Sequence, residues 1–245
     1  MLAFTGVGRT FPDGTQALHD VDLAVDRGEF VAVVGPSGCG KSTLLRLASG
    51  LDGPTTGRVD VASKRVGYVF QDPTLLPWRT VRRNVELLAE LEHLPKAERQ
   101  ARVTEAIGLV GLKGFEKHRP RSLSGGMRMR TSLARSLVLQ PDVFLFDEPF
   151  GALDEMSRER LNDELLALFA DRGFAALFIT HSVAEAVYLS TRVVVMSPRP
   201  GQILGAVSVP FPYPRHPDLR YTEEFAKVAG EVSDLLRDVP RRPAR

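Results

Sequence analysis

Apolar residues along this chain follow two rhythms, and their alternation predicts most of the architecture. Short, nearly unbroken apolar runs at 30–34, 143–146, 175–180 and 192–196 read as strands buried on both faces, as in a parallel sheet. Helical stretches at about 155–170 and 182–189 separate the last three, and strands alternating with helices imply a parallel sheet. Elsewhere the rhythm has steps of three and four. Val85, Leu88 and Leu91, then Val103, Ile107 and Val110, predict helix from 81 to about 111. A further helix is expected over 125–139, with Ser124 placed to cap it.

The N-terminal region reads differently. Residues 2–26 predict short strands around a turn at Pro12-Asp13-Gly14, and Leu23 and Val25 alternate with polar neighbours as a half-buried strand does. A turn-rich stretch at 50–57 precedes two β-like segments, 58–61 and 66–70. The expected fold class is therefore α/β: a parallel core carrying an antiparallel β subdomain and interrupted by a mostly helical lobe near 80–135. After residue 209, Pro210, Pro212, Pro214 and Pro217 favour an extended segment. An amphipathic helix follows, with Tyr221, Phe225, Val228, Val232 and Leu235 assigned to one side. That face is expected to pack on the core rather than on a partner or a membrane. Residues 240–245 read as a solvated end.

Composition narrows the function classes. The 43% hydrophobic content is ample for a buried core in 245 residues. The net charge of +2 gives no warrant for a nucleic-acid surface. Cys39 is the only cysteine, which excludes disulfides and a cysteine-based metal site and suits a reducing setting. No apolar stretch approaches the ~18–20 residues of a membrane span, and the N-terminus lacks a signal-peptide pattern, so any membrane role is expected to be peripheral.

The chemistry begins at Gly35-Pro36-Ser37-Gly38-Cys39-Gly40-Lys41-Ser42-Thr43, between the 30–34 run and the apolar helix-like Leu44-Leu45-Arg46-Leu47-Ala48. A Gly-rich turn from strand to helix is the context a phosphate-binding loop requires. Its glycines let backbone N–H groups approach an anion, and the helix start adds unpaired donors and a positive dipole end. Lys41 can neutralise β- and γ-phosphates, and Ser42 can offer a hydroxyl to Mg²⁺. Cys39 reads as a small filler in this loop. A buried strand that ends in Asp147-Glu148 supplies a metal-side carboxylate in Asp147 and, one residue on, a candidate proton acceptor in Glu148. Leu123-Ser124-Gly125-Gly126-Met127 opens a helix with a hydroxyl and two glycine N–H groups, either a second anion site or a simple N-cap.

Taken together, these segments resemble the ATPase subunits of ABC transporters over residues 1–205. The loop at 35–43 resembles Walker A, 123–127 the ABC signature and 143–148 Walker B with its glutamate. Ala152-Leu153-Asp154 is similar to the D-loop, Gln71 to the Q-loop glutamine, His181 to the switch histidine and Phe11 to the aromatic that stacks on adenine. The resemblance implies ATP and Mg²⁺ as ligands. Phe11, the 35–43 loop, Ser124, Gly125 and Gly126 would contact nucleotide; Ser42, Gln71 and Asp147 would hold the metal. Glu148, His181, Gln71 and Lys41 would carry catalysis, and Asp154 would lie at an interface. For Phe11, packing into its own core remains open. The resemblance also implies a homodimer in which one subunit's signature closes over ATP on the other's Walker A. Met127 and Met129 depart from the glutamines common in the signature, with a modest kinetic effect expected.

Segments 71–85 and 196–203 look like one importer branch, which serves nitrate, alkanesulfonates, taurine and pyrimidine precursors of thiamine. That implies two transmembrane permease subunits, an extracytoplasmic solute-binding protein, and a position on the cytoplasmic face of the membrane. Trp78, between Pro77 and Arg79, reads equally as an exposed anchor for the permease or as a buried lobe residue. The rival readings are a soluble ABC ATPase that moves no solute, or a nucleotide sensor that does not hydrolyse. The chain lacks the long coiled-coil insertion, zinc cysteines or second cassette of the first, and Glu148 and His181 argue against the second.

Overall fold

The structure, a computed structural model, describes residues 1–237. Its centre is a six-stranded sheet in the order β5-β6-β7-β3-β8-β9. The strands are β3 (Phe30–Val34), β5 (Val66–Val69), β6 (Val143–Asp147), β7 (Ala175–Ile179), β8 (Arg192–Met196) and β9 (Ile203–Ser208). The first five run parallel and β9 returns antiparallel to β8, an edge the apolar runs did not announce because none of its residues is fully buried. Every residue of β3 and β7 is buried, which is why both read as continuous apolar runs.

The two faces of the sheet are filled differently. On one, Phe30 lies between Phe146, Phe178 and Phe169 with ring centroids 5.2–6.3 Å apart. On the other, Val31, Val33, Leu145 and Leu177 meet Leu44 and Leu45 of α1 (Lys41–Ala48). The far side of α1 is covered by the antiparallel sheet β2-β1-β4, built from β1 (Leu2–Thr10), β2 (Gln16–Val25) and β4 (Thr56–Val61). The helix that follows the Gly-rich loop is thus clamped between two sheets.

The predicted 81–111 helix is two helices, α2 (Val81–Leu91) and α3 (Lys96–Leu109), because Pro95 sets the entry to α3 and the chain turns over residues 92–95. Leu91, expected on the apolar side, is exposed in the last turn of α2. Both helices pack with α4 (Gly125–Leu137), and Ser124 caps α4 as expected, its Oγ accepting from the Met127 N–H at 3.2 Å. Fully buried Asn84 accepts from the Leu76 N–H at 2.8 Å and donates to the carbonyls of Leu76, Arg79 and Thr80. That side chain moulds the 71–80 loop. Helices α5 (Glu155–Arg172) and α6 (Val183–Leu189) provide the predicted crossovers.

After β9 the chain crosses α6, where the buried Arg215 guanidinium donates to the carbonyls of Val187, Tyr188, Ser190 and Phe211. These include carbonyls the helix end leaves unpaired. Helix α7 (Glu223–Arg237) then buries Phe225, Val228 and Val232 in the main core. Tyr221 is not on that face. Thr222 accepts from the Phe225 N–H at 3.3 Å and starts the helix one residue later, leaving Tyr221 in a preceding turn and 78% exposed. The 240–245 end lies outside the described residues.

Candidate functional site

The strand order decides where chemistry can gather. With β6, β7 and β3 adjacent and parallel, their carboxyl ends deliver Asp147, His181 and the 35–43 loop to one edge, the position where open α/β sheets bind ligands. The loop needs its glycines. Gly38 and Gly40 have φ of +73° and +109°, and a Cβ on Gly40 would lie 2.7 Å from the Leu18 side chain. Gly40 gives α1 no side-chain cap, so the first N–H groups of the helix face the loop. Lys41 is buried, and its ammonium donates to the carbonyls of Gly35 at 2.8 Å and Pro36 at 3.1 Å. Cys39 is buried beneath the loop and desolvation pushes its thiol pKa up, which fits the expected filler role.

Opposite the loop, Ser42 Oγ donates to Asp147 Oδ1 at 2.9 Å, joining the two residues assigned to the metal. The Tyr68 hydroxyl donates to Asp147 Oδ2 at 3.4 Å, a contact that no motif points to. Burial raises the Asp147 pKa, the Ser42 hydrogen bond opposes that, and Glu148 adds to the rise. Glu148 turns away from Asp147 through a left-handed φ of +44°, as the one-residue offset predicted. Its Oε2 lies 3.1 Å from His181 Nδ1, so the candidate base and the switch histidine form a pair. Gln71 stands exposed at the rim of the same space.

A cavity of about 370 Å³ joins Phe11 at one end to Gln71 and Glu148 at the other, with Ser37, Gly38 and residues 40–43 along its floor. Phe11 is half-buried and belongs to neither core cluster, and the Arg9 guanidinium sits 5.2 Å from its ring centroid. Arg199, absent from the sequence-based assignment, lines the same cavity. The oxygen set of Ser42 hydroxyl, Asp147 carboxylate and Gln71 amide suits Mg²⁺, which keeps waters and takes the rest of its shell from phosphate. Among the described residues no three His, Cys, Asp or Glu side chains group as a metal site.

Ser124, Gly126 and Met127 are elsewhere, lining a second cavity of about 370 Å³ with Met156, Ser157 and Arg160 of α5. Within one chain the signature and the phosphate loop do not meet. Met129 is buried in the core, which accounts for an apolar residue there, whereas Met127 is half-buried at the cavity wall. Asp154 is exposed and caps α5, accepting from the Ser157 N–H at 2.9 Å. Trp78 is 68% exposed, which rules out the reading as a buried lobe residue.

Behind His181, Thr180 Oγ1 donates to Glu185, a buried carboxylate in α6 beside Asn162 and Arg158. The Arg158 guanidinium in turn donates to the Leu153 carbonyl in the 152–154 turn at 3.0 Å. Burial raises the Glu185 pKa. Its folded-state value lies above the unfolded ~4.3, so the stability it contributes is complete below that pH and is lost as pH rises through the folded value. Glu185→Gln cannot titrate. Its melting temperature should therefore gain on wild type as pH rises from about 4 through the folded value; a difference that does not change with pH would contradict the raised pKa of Glu185.

Fold and cavity together define a P-loop nucleotide-binding protein. The sequence matches the ABC transporter family over residues 18–151. It is 45% identical to an uncharacterized ABC transporter ATP-binding protein of Methanocaldococcus jannaschii, covering 91% of this chain and 85% of that protein. It is 43% identical to the aliphatic sulfonates import ATP-binding protein of Bacillus licheniformis (82% and 80% covered). Identity is also 43% with the nitrate import ATP-binding protein of Synechocystis (96% and 95% covered). Among solved structures, a dimeric ATP-binding cassette in a post-hydrolysis state with ADP and Pi superposes with TM-score 0.76 at 30% identity, over 86% of this chain and all of that one. The chain belongs to the ABC transporter family.

Proposed function

We propose that this chain is the ATP-hydrolysing subunit of an ABC importer, energising uptake of a small anionic or organic solute through separate permease subunits. One observation carries the reading: Ser42, bonded to Asp147, and Glu148, paired with His181, line one cavity floored by the phosphate loop. Import ATP-binding proteins for sulfonates and nitrate, aligned over most of this chain, supply the transport context.

Phe11 stacks on adenine. The loop N–H groups and Lys41 hold the β- and γ-phosphates, the ammonium exchanging its carbonyl partners for phosphate oxygens. Mg²⁺ held by Ser42, Gln71 and Asp147 would neutralise charge on those phosphates. Glu148 takes the proton of the attacking water as the new O–P bond forms and the β–γ bridge breaks, releasing ADP and Pi. His181 fixes the Glu148 carboxylate and hydrogen-bonds the γ-phosphate.

The signature cavity of one subunit closes over the nucleotide on its partner, which explains why one chain keeps Ser124–Gly126 apart from Lys41. Residues 1–209 form the ATPase unit, with the lobe at 80–135 and the exposed Trp78 just before it turned to the permeases; 210–245 is an appendage whose described residues, to 237, pack on that unit. The complex works at the cytoplasmic face of the membrane, fed by an extracytoplasmic solute-binding protein. A nitrate- or sulfonate-like solute fits the relatives, and a taurine-like one shares the sulfonate chemistry, although the solute itself does not touch this subunit. Among the described residues no helix is long and apolar enough to cross a membrane.

Lys41→Ala tests the base of this reading. Loss of a charge-assisted contact of ~1.5–3 kcal/mol should weaken ATP binding by about ten- to a hundredfold in equilibrium titration. Unchanged affinity would contradict the nucleotide site itself.

A further inference from the structure

We propose that Arg199 is a nucleotide-binding residue that contacts the phosphate chain from outside the phosphate loop. The inference rests on the ATP-binding reading above. It starts from the 196–203 segment, whose place in the site the sequence left unexplained.

That segment lies against the phosphate loop. The Gly201 N–H donates to the Ala17 carbonyl at 2.9 Å, and the Gly201 carbonyl accepts from the His19 N–H at 3.0 Å, tying the turn to β2. Ser197 closes the turn from inside, its Oγ accepting from the Gln202 N–H at 2.9 Å. The approach is close enough that a Cβ on Gly201 would fall 2.1 Å from the Cys39 carbonyl oxygen, so only glycine fits. On the other side of the loop, a Cβ on Gly35 would lie 3.0 Å from the Met196 carbonyl. The turn is therefore a fixed mount for the side chain at its tip.

Arg199 is that side chain. Its Nε donates to the Gly38 carbonyl at 3.2 Å, the only hydrogen bond it makes among the described residues. A guanidinium has five N–H donors in a rigid fork, so both terminal nitrogens remain available once Nε is held. Arg199 lines the cavity shared by Phe11, Lys41 and Glu148, and its Nη2 lies 3.4 Å from where a Cβ on Gly38 would stand. A cation held on the backbone of a phosphate loop, with its free donors at the cavity wall, is suited to bidentate phosphate recognition and loses little side-chain freedom on binding.

Equilibrium binding of ATP, ADP and adenosine to the full chain tests this, using Arg199→Ala, Arg199→Gln and Lys41→Ala beside wild type, each checked for an unchanged melting temperature. Arg199→Ala should weaken ATP and ADP about five- to twentyfold, the modest end for a charged contact because the site is open to solvent, and leave adenosine unchanged. Arg199→Gln keeps a donor for the Gly38 carbonyl but no charge, and should lose as much as alanine. If glutamine restores affinity, Arg199 only props the loop and the proposal is overturned. Equal weakening of adenosine would place the contact at the base and overturn it too. Should Lys41→Ala weaken ATP while Arg199→Ala does not, this inference fails and the nucleotide site stands; if neither has an effect, the ATP-binding reading fails first.

Discussion

Glu148→Gln should lower ATP turnover by about 10²- to 10⁴-fold, the usual contribution of a positioned general base, while leaving ATP affinity close to wild type. The argument is geometric. Glutamine matches glutamate in shape, tolerates the same place after Asp147, and can still bond His181 Nδ1, now 3.1 Å from the carboxylate. The groups assigned to phosphate, Lys41, Ser42 and the loop N–H donors, lie elsewhere in the cavity and are untouched. What is lost is the capacity to accept a proton from water. In the proposed dimer ATP joins the two subunits and cleavage releases them, so the variant should also accumulate as an ATP-bound dimer. Steady-state phosphate release measures the first effect, and sedimentation with and without ATP the second. Wild-type turnover in this variant would remove Glu148 from the base role, and slow turnover without a stable dimer would break the link between cleavage and separation.

The sequence made some parts of this site legible and hid others for identifiable reasons. Buried parallel strands are continuous apolar runs, so β3, β6, β7 and β8 were readable, and with them the positions of Asp147 and His181 at strand ends and of Lys41 at the helix start that follows β3. Strand order was not readable. Only the observed β6-β7-β3 adjacency explains why Ser42 and Asp147, 105 residues apart, share a hydrogen bond. Edge strand β9 escaped because its exposure alternates at half-buried levels, too weak a pattern beside its glycine. Tyr221 was misplaced because helical periodicity cannot see that Thr222 caps the helix after it. Arg199 was missed for a different reason: an arginine between two prolines reads as a turn, and its contact with Gly38 spans 161 residues. The Glu148–His181 pair was foreseeable only as two separate roles, since nothing in either segment fixes their side chains together.

Mixing two inactive variants should restore activity that neither has alone. Lys41→Ala removes the ammonium at the phosphate loop, and Ser124→Arg drives a long cation into the wall that should face a partner's nucleotide. In a two-fold dimer each phosphate loop meets the other subunit's signature, so contacts between unlike residues occur in reciprocal pairs. Both sites fail in a dimer of either variant. A mixed dimer has one site with both defects and one with neither. Random pairing makes half the dimers mixed, so with independent sites recovery should approach roughly a quarter of wild-type turnover. The Ser124 substitution also removes the α4 cap, worth ~1 kcal/mol, so its melting temperature should fall by a few degrees without loss of fold. ATP binding to the isolated Ser124→Arg subunit should remain near wild type, since the two cavities of one chain share no residue. Recovery after exchange of subunits, assayed by nucleotide trapping at the single intact site, places the signature and the loop on opposite partners. If the mixture traps no more nucleotide than its components, ATP is bound within one chain and the shared site is wrong.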